Sequence, residues 1–166
     1  MANDNARGDL ERDQGRVWDL MKKIGFAMLV THDGDKLRAR PMSAYLDRDH
    51  NMIYFLTDAR RHKDEEIARN PGINLSFADA GSQKYVSLTG TASVTNDRAK
   101  IKELFTTAAK AWWDSPDDPN IRVLKVTPDD AEFWDSPGTV ISYVKMAAAA
   151  MSGSRPDLGD NRKVSL

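Results

Sequence analysis

The 166-residue sequence contains no cysteine, which removes disulfides, thiolate metal sites and cysteine nucleophiles together. Its three histidines, His32, His50 and His62, are widely separated and form neither HxxH nor HExxH, so zinc chemistry lacks a ligand set. Neither GxGxxG nor GxxxxGK(S/T) occurs, which excludes Rossmann and P-loop nucleotide sites, and no GxSxG elbow supports a hydrolase. Charge of one sign is also missing. A formal net charge of -1 supplies no general attraction for nucleic acid, which demands a basic face. No apolar run approaches membrane-spanning length, and the charged start MANDNARGDLERD has no apolar signal region. The expectation is one cytoplasmic domain, long enough to bury a real core, with neither a nucleic-acid nor a membrane partner.

What the sequence does have is concentrated between Arg38 and Asn70. Arg38 and Arg40 lie two apart on a predicted strand and so share a face. Pro41 cannot donate to a ladder, which suits an edge strand or bulge. The run Met52 to Leu56 lacks polar alternation, so that strand is expected to be covered on both faces. Next come Arg60, Arg61, His62 and Lys63, followed at once by Asp64, Glu65 and Glu66. Acids belong at a helix N-terminus and cations oppose it. A bound phosphate would reconcile the two, using side-chain cations and the helix end together. A solvated basic loop neutralised by the three acids is the plain alternative, and residue types alone leave both open.

Around this segment the chain divides into an N-terminal helix (1–25), a barrel with inserted helices (26–145) and a C-terminal helix and tail (146–166). Leu10, Val17, Leu20, Met21 and Ile24 recur at helical spacing before Gly25, and Trp18 beside them is read as apolar bulk. Phe26–Thr31, Leu37–Leu46 and Met52–Leu56 are joined by short turns, so they are antiparallel. Ile73–Ala78 and Lys84–Val94 form another hairpin, with Gly90 marking a bulge or bend. Asn96 can cap a helix running to about Trp113. Ile121–Val126 and Ala131–Trp134 read as a strand pair or one interrupted strand, and Thr139–Val144 as a further strand. The polar tail after Gly153 is expected to lie extended or to fray. This pattern defines a mainly β protein with flanking helices, a small barrel of about six antiparallel strands.

Three motifs in their order then give the sequence a resemblance. Arg38–Ser43, RARPMS, is similar to the arginine-led strand RxVLLK of the pyridoxamine 5′-phosphate oxidase-like FMN-binding split barrels. Phe55–Lys63, FLTDARRHK, is similar to their FYTNxxSRK segment, and Ala131–Gly138, AEFWDSPG, to their EFW motif. The tail from Val144 to Leu166 resembles the general stress protein 26 subgroup in particular. The resemblance implies a six-stranded antiparallel split β-barrel that binds FMN. It implies that Arg38, Arg40, Pro41, Met42 and Ser43 lie along the flavin, with Leu56 and Thr57 beside it and His62 and Lys63 on its phosphate. Trp134 and Tyr85 would reach the flavin of a partner subunit, in a homodimer with the cofactor at its interface.

The departures narrow the activity. Ser43 stands where the oxidases end that strand in lysine, and their C-terminal RLHDR cluster is absent, Lys145 being the only nearby cation. The implied protein is therefore not a true pyridoxamine 5′-phosphate oxidase. It is a general-stress-type FMN-dependent oxidoreductase of unknown substrate, with NAD(P)H or another small redox partner, in which the cofactor carries the chemistry. A flavin-storing protein without turnover, or an interaction module without cofactor, are the other readings. No side chain stands out as a catalytic acid or base. Arg38 and Lys63 are expected to be partly solvated in the empty protein.

Overall fold

The computed structural model describes residues 2–61, 63–137, 139–152, 155 and 159–166, without the side chains of 2–4, 139–141, 143 and 152. The N-terminal helix α1, Ala2–Ile24, buries Val17, Trp18, Leu20 and Met21, as the helical spacing requires. It stops at Gly25, whose positive φ of 75° lets its N–H donate back to the Met21 carbonyl at 2.9 Å. Left-handed backbone at this position is what glycine permits. The chain then forms β1 Phe26–Asp33, β2 Lys36–Ser43, β3 Tyr45–Asp47 and β4 Met52–Asp58. A 3-10 turn, Ala59–Arg61, leads into α2, Lys63–Arg69, then β5 Gly72–Asp79 and β6 Lys84–Thr95. After α3, Arg98–Leu104, come β7 Ile121–Asp135, α4 Thr139–Ser152 and β8 Asp160–Ser165.

Every pairing is antiparallel, in the order β2-β1-β5-β6-β7-β4-β3, with β8 attached to β7. The order does not close on itself, so the sheet is an open, split barrel with helices outside. The long strand β7 organises it. Along one edge it pairs with β6; along the other its first half holds β4 and its second half β8. The bend between those halves is a register shift opposite Thr89 and Gly90. A side chain at 90 would place its Cβ 2.4 Å from the Thr127 carbonyl oxygen, so only glycine allows this approach.

The core has two parts. Leu29, Phe55, Phe77, Leu88 and Phe133 fill the barrel beneath α1. Leu56, Ile101, Leu104, Ile121 and Val123 form a second cluster under α3. Strand β4 lies between them and is covered on both faces, as its unbroken apolar run predicts. The N-terminal helix is tied to the chain's last strand: Arg162 pairs with Asp13 at 3.3 Å, and Gln14 donates to the Ser165 carbonyl at 2.7 Å. Asp135, at the end of β7, accepts from both Arg16 and Lys84. Burial works to raise that carboxyl, but the two cations prevail and hold it below the usual range.

Four expectations need correction. Among the described residues eight strands replace six, because β3 separates from β2 at Ala44 and the tail supplies β8, whose Val164 is buried at 3 % exposure. Thr139–Val144 is helical: its β-branched residues favour strand locally, but the alanine-rich run behind them carries the helix back through them. Residues 121–135 form one continuous strand, neither a pair nor interrupted. Helix α3 is capped by Asp97, not Asn96, and ends at Leu104 where Phe105 leaves helical backbone with ψ 85°. Phe105 and Trp113 then pack on the second cluster as a loop. Among the described residues no helix is long and apolar enough to cross a membrane.

Candidate functional site

Where β1, β2, β4 and α2 meet, cations and carboxylates gather. The register sets Arg38 opposite Thr31 and Arg40 opposite Leu29, so both arginines stand on the face of β2 that turns inward. Glu66 rises from α2 between them. Its Oε1 accepts from Arg40 at 2.7 Å and its Oε2 accepts from Arg40 at 2.9 Å and from the Thr31 hydroxyl at 2.8 Å. Arg40 also donates to Thr31 at 2.8 Å. Burial works to raise the Glu66 carboxyl, but the bonds from Arg40 and Thr31 outweigh it and hold the group below its ordinary value. A forked pair of this kind is geometrically specific and strong.

Lys63, one helical turn before Glu66, is the unusual member. It is 8 % exposed, where partial solvation was expected. Its Nζ donates to the Thr57 hydroxyl at 3.1 Å, and Thr57 is itself 3 % exposed. Desolvation drives the Lys63 pKa down, and the charges of Arg40 and Arg61 push the same way, against a weaker pull from Glu66 and Asp58. A buried ammonium whose hydrogen bond goes to a neutral hydroxyl is short of negative charge.

The neighbouring cations are supplied unequally. Arg38 pairs with Asp33 and is more than half exposed. Arg60 embraces Asp58 with both its Nε and its NH2, holding that carboxyl down to about 2 through the hydrogen bond first, then the charge. Arg61 is exposed and has no ion pair among the described residues. His62, assigned to the same phosphate, lies outside the described residues. The arrangement therefore leaves Lys63 and Arg61 without a carboxylate of their own, at a mouth that can receive an anion.

The remaining predicted residues fall in three other places. Met42 is core, at 9 % exposure, Ser43 is half-buried where β2 ends opposite Phe26, and Pro41 is exposed on the outer face opposite Met28. Leu56 points away from Thr57 into the second cluster. Tyr85 and Trp134 are direct cross-strand partners, but they face outward, on the opposite side of the sheet from Val86 and Phe133. One chain alone does not bring them to Lys63. Beneath them on the outer face lies a shallow groove of about 430 Å³ lined by Ser87, Thr89, Asp130, Glu132 and Lys163. The sequence reading missed Glu66, Thr31, Asp33 and Asp58. The signal for Glu66 was its place three residues after Lys63, on the same face of the helix.

The fold is an open, split barrel of antiparallel strands, and comparison with known proteins gives the family. Residues 12–157 match the model of the family described as pyridoxamine 5′-phosphate oxidase like, and the chain belongs to that family. General stress protein 26 of Bacillus subtilis is 30 % identical over 108 residues, covering 60 % of this chain and 74 % of that protein. The protein bli-3 of Neurospora crassa is 23 % identical over 167 residues, covering 93 % of this chain and 80 % of that protein. Among solved structures, a protein assigned to general stress protein 26 from Jannaschia superposes with a TM-score of 0.71 at 27 % identity, over 93 % of this chain and 99 % of the other. The general stress FMN/FAD binding protein of Xanthomonas citri shares the fold, with a TM-score of 0.65 at 24 % identity over 73 % of this chain and 87 % of the other.

Proposed function

We propose that this chain is an FMN-binding protein of the general stress type that acts as a flavin-dependent oxidoreductase in a homodimer. One observation carries the reading: Lys63 is a buried cation, depressed by desolvation and by two arginines, whose one bond among the described residues goes to Thr57. A phosphate monoester supplies the negative charge that this position lacks. The Xanthomonas relative described as FMN/FAD binding has the same fold, and the family match supports the same cofactor. In that arrangement Lys63, Arg61 and Thr57 hold the phosphate end, while Arg38, Arg40 and the backbone of β2 border the ring. When bound, the flavin supplies two-electron redox chemistry, with NAD(P)H or another small reductant as donor. The chain's own contribution is to bind and orient it.

The shared site rests on the outer face of the sheet. Phe26, Met28 and Leu37 are 63 %, 39 % and 67 % exposed there, and the register places Met28 beside Ser76, Ser87 and Glu132 in one row. A second copy is the occupant we propose for this face, with the Tyr85–Trp134 pair of one chain meeting the flavin of the other, as the family resemblance implies. Exposed apolar area of this kind marks an interface.

Fluorescence-quenching titration tests the cofactor. FMN is expected to bind roughly a hundredfold or more tighter than riboflavin, as two charge-assisted bonds of about 1.5–3 kcal/mol each imply. Equal affinities refute the phosphate site. A second reading, flavin storage without turnover, is favoured by a specific feature: Asp33, Asp58 and Glu66 are all hydrogen-bonded to arginines and held ionised, so none can donate a proton near the cofactor. Reduction by NADH or NADPH followed by reoxidation with a quinone or dioxygen separates the two readings.

A further inference from the structure

The cationic mouth contains more charge than an anion can use, because the chain has already spent part of it. Of five cations around it, Arg38 is taken by Asp33, Arg60 by Asp58 and Arg40 by Glu66. The first two pairs are on the surface: the Arg38 and Arg60 side chains are 56 % and 67 % exposed. The Arg40–Glu66 pair is different. Its side chains are only 23 % and 12 % exposed, it is forked, and Thr31 holds both partners. It also stands within the field of Lys63, one turn away on α2.

We propose that Glu66 is a specificity-determining residue of the phosphate site: it occupies the guanidinium fork of Arg40, so recognition of a phosphate falls to Lys63 and Arg61. This rests on the phosphate reading given above and deepens it. An anion arriving at Lys63 meets two uncommitted cations, one for each charge of a phosphate monoester, and a carboxylate that has neutralised the third. Both donor hydrogens of the Arg40 NH1 group are used, on Thr31 and Glu66, and NH2 is bonded to the second Glu66 oxygen. The Nε–H and second NH2 hydrogen of Arg40 make no bond among the described residues, but the charge behind them is already balanced by Glu66. Arg40 can turn its NH1–NH2 fork to a phosphate only by releasing Glu66. Glu66 would then stay partly buried as an unpaired carboxylate beside the incoming dianion, which is unfavourable on both counts. Glu66 therefore limits the affinity of the site as well as directing it. The placement also explains why a helix that begins with a cation carries an acid at just this turn: Thr31 and Arg40 need it when no anion is present.

The test measures FMN, riboflavin and inorganic phosphate binding to the full chain and three variants, with melting temperatures alongside. Glu66→Gln keeps the shape and an acceptor for Thr31 but removes the charge that balances Arg40. It is expected to tighten FMN and inorganic phosphate about tenfold, the worth of one additional charge-assisted bond, and to leave riboflavin unchanged. Adding Arg40→Met to that variant is expected to abolish the gain. An FMN affinity that falls in Glu66→Gln, or that moves together with riboflavin, overturns the assignment, since a clip that merely holds α2 to the sheet alters both flavins alike. Arg61→Gln, on an exposed side chain whose loss cannot prevent folding, is expected to weaken FMN about tenfold and riboflavin not at all; an unchanged FMN affinity overturns the division of roles without reference to Glu66. If the unaltered chain itself binds FMN and riboflavin equally, the phosphate site as a whole is refuted and this inference with it. If the unaltered chain prefers FMN and Glu66→Gln does not respond, only the role of Glu66 is lost.

Discussion

Replacing Lys63 by methionine separates the charge at this position from the stem that carries it. Methionine keeps most of the buried stem and loses the ammonium, so the cavity term that an alanine would add is avoided. Among the described residues Lys63 has one hydrogen bond, to Thr57 at 3.1 Å. That bond is worth about 1 kcal/mol, and the Thr57 hydroxyl left behind can turn to a backbone acceptor. Against it stands the cost of holding a desolvated ammonium beside Arg40 and Arg61, a few kcal/mol for a mostly buried ion with incomplete pairing. The balance favours methionine by about 1–2 kcal/mol, a rise of roughly 2–8 °C in the melting temperature of an apo-protein this size. FMN binding moves the other way. Losing a charge-assisted contact costs about 1.5–3 kcal/mol, a roughly 10- to 150-fold weaker affinity, with riboflavin unaffected. The pH dependence adds a second sign. Because the folded Lys63 titrates below the ordinary value of 10.5, the unfolded chain binds more protons between those two values. Stability of the apo-protein should therefore rise with pH in that window, and Lys63→Met should lack the rise. Calorimetry of the apo-proteins and paired flavin titrations measure all three. A variant that melts lower than the parent while keeping its preference for FMN refutes the reasoning, because Lys63 would then be a structural cation.

The other predictions concern the frame and the interface. Gly90→Ala drives a Cβ against the Thr127 carbonyl and should cost about 2–3 kcal/mol, seen as a lower urea midpoint at unchanged slope; an unchanged midpoint would show that the β7 bend is not held by that contact. The Asp58 carboxyl should titrate near 2 by carboxyl NMR and return toward the ordinary carboxylate range in Arg60→Ala, so that its contribution, present above about pH 4, disappears as pH falls through 2. FMN should strengthen self-association and raise the melting temperature in a concentration-dependent manner; a flavin-saturated monomer at micromolar concentration in sedimentation excludes the shared site. Trp134→Ala should weaken FMN and riboflavin by the same factor, since it stands away from the phosphate; a loss of about 3–5 kcal/mol of apo stability without any flavin effect would make it ordinary core.

The legible part of this protein was its alternation and its punctuation. Gly25, Gly34 and Gly90 stop a helix, turn a hairpin and bend a sheet where the sequence placed such events, because each needs a backbone state or a clearance that other residues lack. The double covering of β4 was readable for the same kind of reason: Ile53, Phe55 and Leu56 leave no polar face. What escaped were features settled by distant partners. Nothing local in Asp160–Ser165 says strand; Val164 is drawn into the core only because the second half of β7 has a free edge to offer. Thr139–Val144 is strand-like by residue type and helical by its neighbours. In the site, the resemblance put Thr57 and Lys63 in one motif, and the two side chains are hydrogen-bonded, but nothing local could show that Lys63 is buried, nor that Arg38 and Arg40 have acceptors in Asp33 and Glu66.

That last omission matters for how the basic loop is understood. A sequence shows five cations near one another and invites the inference that all attract an anion. The structure sorts them by what each already holds. Arg38 and Arg60, exposed and paired with carboxylates, are in the class of surface ion pairs that contribute little. Arg40 is fixed in a half-buried fork with Glu66. Lys63 alone is both buried and hydrogen-bonded to a neutral group, so it carries the largest unfavourable self-energy and has the most to gain from a phosphate. Affinity for the anion and instability of the empty site thus have the same origin. A chain that stored no such strain at Lys63 would fold more firmly and would lose most of its preference for FMN over riboflavin.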